Sequence, residues 1–318
     1  MRTPSRSVPR AALLLAIVAM LGGGPAACHG GETGEVEPPH EGSAGADERA
    51  QAPFLTRRNA HETVLRERGP SPGEYVEQTP PPGVAAIRYR SGELDLLAWW
   101  ATPPGAQRVP ALIYFHGDFA FGADDFEIVR PFLDAGFAVL TPTLRGENGN
   151  PGDFELLWGE VDDARAAVEW VAAQPQVDRS RIYAFGHSIG GGVAAMLSLY
   201  PELPLRATGS CGGIYVPATF GRWAASARNR ELVRFDPSDP NEAELRVLGP
   251  NLAWMAHRHV AYAGREDPWF VDNASALARE AWALGKPFEL VEVDGDHMAS
   301  LPVALEAFRR LIAGDRSR

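Results

Sequence analysis

Residues 181–197, RIYAFGHSIGGGVAAML, carry the chain from a short apolar run into small, helix-forming residues through Gly186-His187-Ser188-Ile189-Gly190. This G-x-S-x-G turn constrains the fold more than any other stretch. A reversal that sharp strains the serine backbone, and side chains at the flanking positions would clash, so glycines stand there. The hydroxyl of Ser188 is lifted clear of a sheet, at a helix N-terminus whose free N–H groups favour developing negative charge. Gly191 and Gly192 let that helix pack close to its neighbours. A glycine-rich turn with an incidental serine would read the same way in isolation. The strand before and the helix after supply the context the motif requires.

The same alternation runs through much of the chain from about residue 84. AAIRYRSGELDLLAWWATPPG reads as two strands joined at Ser91-Gly92, and PALIYFHG as a strand buried on both faces. DDFEIVRPFLDAG reads as a helix interrupted by Pro131, and FAVLTPTLRG as the next strand. In residues 160–173, Val161, Ala164, Val168 and Val171 recur at helical spacing, with Glu160, Asp162 and Asp163 in the first turn. RATGSCGG, HVAYAG and FELVEVDG supply further strands, NASALAREAWALG a helix, and SLPVALEAFRRLI a closing helix with Leu301, Leu305, Phe308 and Ile312 on one face and Ser300 as its cap. The predicted class is α/β: a mostly parallel central sheet of about eight strands with helices on both faces. Residues 214–257, which include FGRWAA and NLAWMA, break the rhythm and read as a short, mostly helical lid between the sixth and seventh strands.

In such sheets, sites gather at the carboxyl ends of strands. A serine needs a base, and the base an orienting acid. The order in the α/β-hydrolase fold is Ser, then Asp or Glu, then His. Asp267 follows the strand in AYAGREDPW, with Glu266 and Asp272 as close alternatives. His297 follows the last strand in VEVDGDHMAS and is the final histidine of the chain. His257 and His259 precede their strand, at the wrong edge, and His187 fills the variable position of the elbow and is assigned no catalytic role. The oxyanion donors are expected to be the Ile189 N–H and an N–H of HGDFAFG, with Asp118 leading and Phe119 second.

Residues 141–197 carry Arg145-Gly146, Trp158-Gly159, a helix from Asp163 to Trp170, Val177-Asp178 and the elbow; AGREDPWF and GDH follow downstream. This series resembles the catalytic domain of the prolyl oligopeptidase family and its dienelactone-hydrolase-like esterase relatives, over about residues 84–313. The resemblance implies the α/β-hydrolase fold and a Ser188-Asp267-His297 triad. Val171 replaces a leucine of the family pattern. His116 stands near the place where the family's peptidases carry a tyrosine oxyanion donor. Those peptidases usually place a β-propeller ahead of the catalytic domain, and residues 53–84 are too few to form one.

The N-terminus reads as a targeting segment. Three arginines in MRTPSRSVPR precede AALLLAIVAMLGG and then GPAAC. Residues 26–28, AAC, resemble a lipoprotein cleavage box with Cys28 as the lipidated residue, although Pro25 departs from the usual apolar residue there. Ordinary cleavage and a soluble export product are the alternative. Residues 29–52, rich in Gly, Glu, Pro, Ser and Ala, read as a flexible tether to a hydrolase domain at 53–318. Cys28 and Cys211 are the two cysteines, too few for a disulfide framework, and Cys211 reads as a buried, inert thiol. The net charge of −11 comes without a basic stripe and argues against a nucleic-acid partner. No H-E-x-x-H motif points to a metal, and no cofactor is expected. The expected protein is an exported serine hydrolase, periplasmic or at the cell surface. It would act on a carboxylic ester or a short peptide-like amide. The alternative is a non-catalytic binding protein on the same fold.

Overall fold

A computed structural model of the chain describes residues 52–105 and 107–315. The signal segment at 1–28, Cys28 and nearly all of the tether lie outside the described residues. In chain order, α1 (Phe54–Ala60) precedes β1 (Ala85–Ser91), β2 (Leu94–Ala101) and β3 (Val109–Phe115). Then come α2 (Ala123–Glu127), α3 (Arg130–Asp134), β4 (Ala138–Pro142), α4 (Gly159–Ala172), β5 (Val177–His187) and α5 (Ile189–Leu197). β6 (Leu205–Cys211) leads into α6 (Pro217–Ala225) and α7 (Pro240–Glu244), with short 3-10 turns at Arg230–Leu232 and Gly249–Trp254. The chain continues through β7 (Arg258–Gly264), α8 (Pro268–Ala283), β8 (Phe288–Val293) and α9 (Ser300–Ala313).

The eight strands form one sheet in the order β1-β2-β4-β3-β5-β6-β7-β8. β1 pairs with β2, and β2 with β4, antiparallel; all other neighbours are parallel. Side chains of β3 alternate between two cores. Ala111, Ile113 and Phe115 join α4, α5 and α8 on one face. Leu112 and Tyr114 join α2, α3 and α9 on the other. Covering both faces is why these strands read as unbroken apolar runs in the sequence. The register brings Phe115 beside Gly186, His187 beside Cys211, Cys211 beside Tyr262 and Gly264 beside Val293. Loops bearing Asp118, Ser188, Asp267 and His297 therefore leave from one edge of the sheet.

The apolar positions read from periodicity are buried: Val161, Ala164, Val168 and Val171 in α4, and Leu301, Leu305, Phe308 and Ile312 in α9. Several details differ from the sequence reading. The first hairpin turns at Gly92-Glu93, since Ser91 is still paired in β1. The α2–α3 break falls where expected, with Pro131 in the first turn of α3, where its missing N–H costs nothing. Ser300 is the first residue of α9 and does not cap it. The carboxylate of Asp296 instead closes the turn ahead of the helix, accepting from Met298 N–H and Ala299 N–H at 3.0 and 2.9 Å, and no side chain caps α9 itself. α1 has no counterpart in the sequence reading. Its Phe54 is buried edge-on against Tyr200, a contact between residues too far apart to leave a local pattern.

Candidate active site

Ser188 sits between β5 and α5 with φ 53° and ψ −118°. A side chain on a non-glycine residue rarely tolerates that backbone, and such strain gathers at functional sites. The turn closes because its flanks are bare: a Cβ on Gly186 would lie 2.0 Å from the Gly190 carbonyl oxygen, and one on Gly190 would lie 2.3 Å from that of Phe115. The Ser188 N–H donates to Cys211 O at 2.8 Å, which pins the elbow to the end of β6.

Asp267, at the N-terminus of α8, faces His297 in the β8–α9 loop. His297 Nδ1 and Asp267 Oδ2 are 3.0 Å apart, and both residues are buried. Glu266 and Asp272, the alternatives left by the sequence, are exposed. Phe270 stacks on the His297 ring at 4.5 Å and 21°. Gly212, next to the Cys211 that holds Ser188, packs against the same ring, so that a Cβ there would fall 2.6 Å from Cε1. His297 Nε2 is buried and has no hydrogen-bond partner among the described residues, and Ser188 Oγ makes no hydrogen bond to it. A base and nucleophile often close up fully only around substrate. An Nε2 kept from other partners has its lone pair or proton open to an incoming group.

Ile189 N–H, Asp118 N–H and Phe119 N–H likewise form no hydrogen bond within the described residues. Asp118 has φ 66° and, with Phe119 and Ile189, lines a small cleft closed by Phe154, Leu157 and Val193. The loop is braced from the N-terminal side, where Ser71 Oγ donates to Phe119 O at 2.6 Å. His116 lies at the end of β3 with both ring nitrogens engaged: Nδ1 is 2.9 Å from Gly117 O and Nε2 is 3.1 Å from Glu147 Oε2. It has no donor to spare for an oxyanion. Burial pulls the pKa of His116 down, and the charge and hydrogen bond of Glu147 outweigh it, raising the pKa to about 9.

The β4–α4 loop is built around two buried acids. Asp163 accepts from Arg145 N, Nε and Nη2, each at 2.9 Å, and Gly159 leaves room for that guanidinium. The Arg-Gly and Trp-Gly pairs noted in the sequence therefore serve this scaffold. Glu160 accepts from Glu155 N–H and Trp158 N–H, and burial raises its pKa to about 7. Between those bonds Leu156 and Leu157 adopt φ 52° and 65° in succession. The fully buried Arg246, from the segment between β6 and β7, holds this strained pair by donating from Nε to Leu156 O at 2.9 Å.

Two histidines sit differently from the sequence reading. His259 belongs to β7 rather than preceding it, and its ring bonds to Thr208 and Ser210, each at 2.8 Å, away from Ser188. His187 does contact the site: its Nε2 lies 3.0 Å from His297 O. Cys211 is buried at 3.3 Å from Ser300 Oγ, and burial pushes its thiol up to about 12. Among the described residues no group of three or more His, Cys, Asp or Glu is placed to hold a metal ion. No helix there is long and apolar enough to cross a membrane.

Residues 88–214 match the X-Pro dipeptidyl-peptidase family, S15. An uncharacterized peptidase of Bacillus subtilis, YtmA, is 29% identical over 133 residues, covering 40% of this chain and 48% of that protein. The chain spans about half the length of the curated relatives it matches. Among solved structures, Pyrococcus horikoshii acylaminoacyl peptidase superposes with a TM-score of 0.58 at 17% identity, over 72% of this chain and 40% of that one. Thermogutta terrifontis esterase 2 gives 0.58 at 20% identity, over 74% of this chain and 96% of that one. The chain has the α/β-hydrolase fold, and several of the proteins it is similar to are named peptidases or esterases.

Proposed function

Taking that fold and those relatives as premise, we propose that the protein is an exported serine hydrolase that cleaves carboxylic esters, with short peptide-like amides as its second substrate class. The observation that carries this reading is the Asp267–His297 pair at 3.0 Å, with an unpartnered Nε2 beside a strained serine elbow. Ser188 Oγ attacks the substrate carbonyl carbon and its proton passes to His297 Nε2. Asp267 accepts from Nδ1–H and stabilises the imidazolium. The Ile189 N–H and the Asp118 N–H, with Phe119 N–H beside it, take the negative charge of the tetrahedral oxygen. His297 then protonates the leaving group, and water attacks the acyl-enzyme through the same base. Structures of both an esterase and a peptidase share the fold, and the substrate panel below decides the order of the two classes.

The test is labelling of the purified full chain with a fluorophosphonate, beside nitrophenyl esters and aminoacyl or prolyl amides. The parent should label, the Ser188→Ala variant should not, and esters should turn over faster. Failure of both to label would return the non-catalytic binding protein as the working reading. Faster amide turnover would reverse the order of substrate classes.

Export rests on the basic and apolar pattern of residues 1–28, and lipid attachment on Cys28. In a bacterial host, the parent should sediment with membranes and Cys28→Ser should move to the soluble exported fraction. Equal partition of the two would remove the anchor from the proposal.

A further inference from the structure

We infer that His187, the variable residue of the elbow, is a positioning residue that sets the distance between nucleophile and base. The inference rests on the Ser188-Asp267-His297 reading and goes beyond it. Ser188 and His297 lie on separate loops, and nothing in their local sequence fixes how far apart they stand. Asp267 holds the His297 ring at Nδ1, which governs ring rotation but not the position of the backbone that carries it. The His297 carbonyl is held by His187, whose Nε2 is 3.0 Å from it. His187 is the covalent neighbour of Ser188. One hydrogen bond and one peptide unit thus connect the backbone of the base to the nucleophile.

The surroundings fix which end of the imidazole does this. A carbonyl only accepts, so Nε2 carries the proton. Burial, then the charge of His297, lowers the His187 pKa to about 3, so the ring is neutral and Nδ1 is bare. Gly117 of the oxyanion loop packs on that bare nitrogen so closely that a Cβ there would sit 2.7 Å away. The two histidine rings lie 4.9 Å apart at 35°. His187 is therefore wedged between the loop that carries the oxyanion donors and the loop that carries the base. A neutral ring also places no positive charge beside the imidazolium that forms during attack. Ser300 Oγ reaches the same carbonyl at only 3.5 Å and is a weak second donor.

The test compares His187→Gln, His187→Asn and His187→Phe in the full chain, on the ester turned over fastest. Glutamine can place an N–H where Nε2 stands; asparagine is too short, and phenylalanine keeps the ring without the donor. Phenylalanine and asparagine are expected to lower kcat by about 10- to 100-fold with KM changed less than about twofold, as a small misplacement of reacting groups would. Glutamine should recover to within about threefold of the parent. The rate of fluorophosphonate labelling should follow kcat. If phenylalanine fails to fold, the glutamine–asparagine comparison decides alone. Equal kcat in those two variants, or a parent-like phenylalanine variant, would overturn the inference. Labelling of the parent that survives Ser188→Ala would instead overturn the triad reading beneath it.

Discussion

Asp267→Asn is expected to lower kcat by on the order of 10³- to 10⁴-fold while leaving the protein folded. The carboxylate is buried and 3.0 Å from Nδ1, so it acts on the imidazolium in a medium that screens it poorly. It is also acceptor-only, which forces the proton onto Nδ1 and leaves Nε2 bare for Ser188. Asparagine is nearly the same size but offers an amide N–H as well as an oxygen. It loses the charge and no longer compels that tautomer. Little of the fold depends on the change, because the backbone of Asp267 keeps its bonds from Phe270 N–H and Val271 N–H. Glu266→Gln and Asp272→Asn, on exposed neighbours, should stay within about twofold of the parent. Burst and steady-state kinetics on the preferred ester, with a thermal melt of each variant, check this. A fall of less than tenfold in Asp267→Asn, or an equal fall in Glu266→Gln, would remove Asp267 from its role.

The sequence made the elbow and the strand–helix alternation readable because both are local. G-x-S-x-G is a five-residue steric solution, and apolar runs record burial on both faces of a parallel sheet. The loops worth inspecting follow from topology, and they are the ones that carry Asp267 and His297. Contacts at long separation leave no such trace. The bond from His187 to His297 spans 110 residues, and nothing at either position announces it. Arg246 looks like a surface cation in an irregular segment, yet it is fully buried over Phe235 and holds the strained Leu156-Leu157 pair. His116 could have been read as a donor to the oxyanion until both of its nitrogens were seen to be engaged. Ser300 does not cap α9 because the turn at Asp296–Ala299 runs on until Ser300 is itself the first helical residue.

The same buried histidines give a stability profile that peaks near pH 6.5, with slopes of different origin on each side. His187 and His259 are held neutral by burial, with pKa values lowered to about 3 against 6.5 when unfolded. Their contribution is present above pH 6.5 and is lost as pH falls toward 3. Glu160, raised to about 7 from 4.5, acts in the opposite direction: its contribution is present below 4.5 and is lost as pH rises through 7. Between pH 4.5 and 6.5 the unfolded chain thus binds two more protons at the histidines and one fewer at Glu160. The histidines outweigh Glu160 over this range, so stability rises with pH. Above pH 6.5 His116 adds to the decline and carries it alone beyond 7. Its pKa of about 9 in the fold exceeds the unfolded 6.5, so its contribution is complete below 6.5 and lost as pH climbs through 9. That loss is about 3 kcal/mol in total. Glu147→Gln removes the anion that sustains it. At pH 6.5 the variant should be less stable than the parent by about 3 kcal/mol, and the gap should close toward pH 9 because a neutral His116 no longer needs the carboxylate. Urea unfolding of both proteins from pH 5 to 9 measures the two slopes. A parent curve flat from pH 7 to 9, or a variant running parallel to it, would show that the His116–Glu147 contact is not an ion pair. A buried neutral hydrogen bond has no reason to weaken over that range.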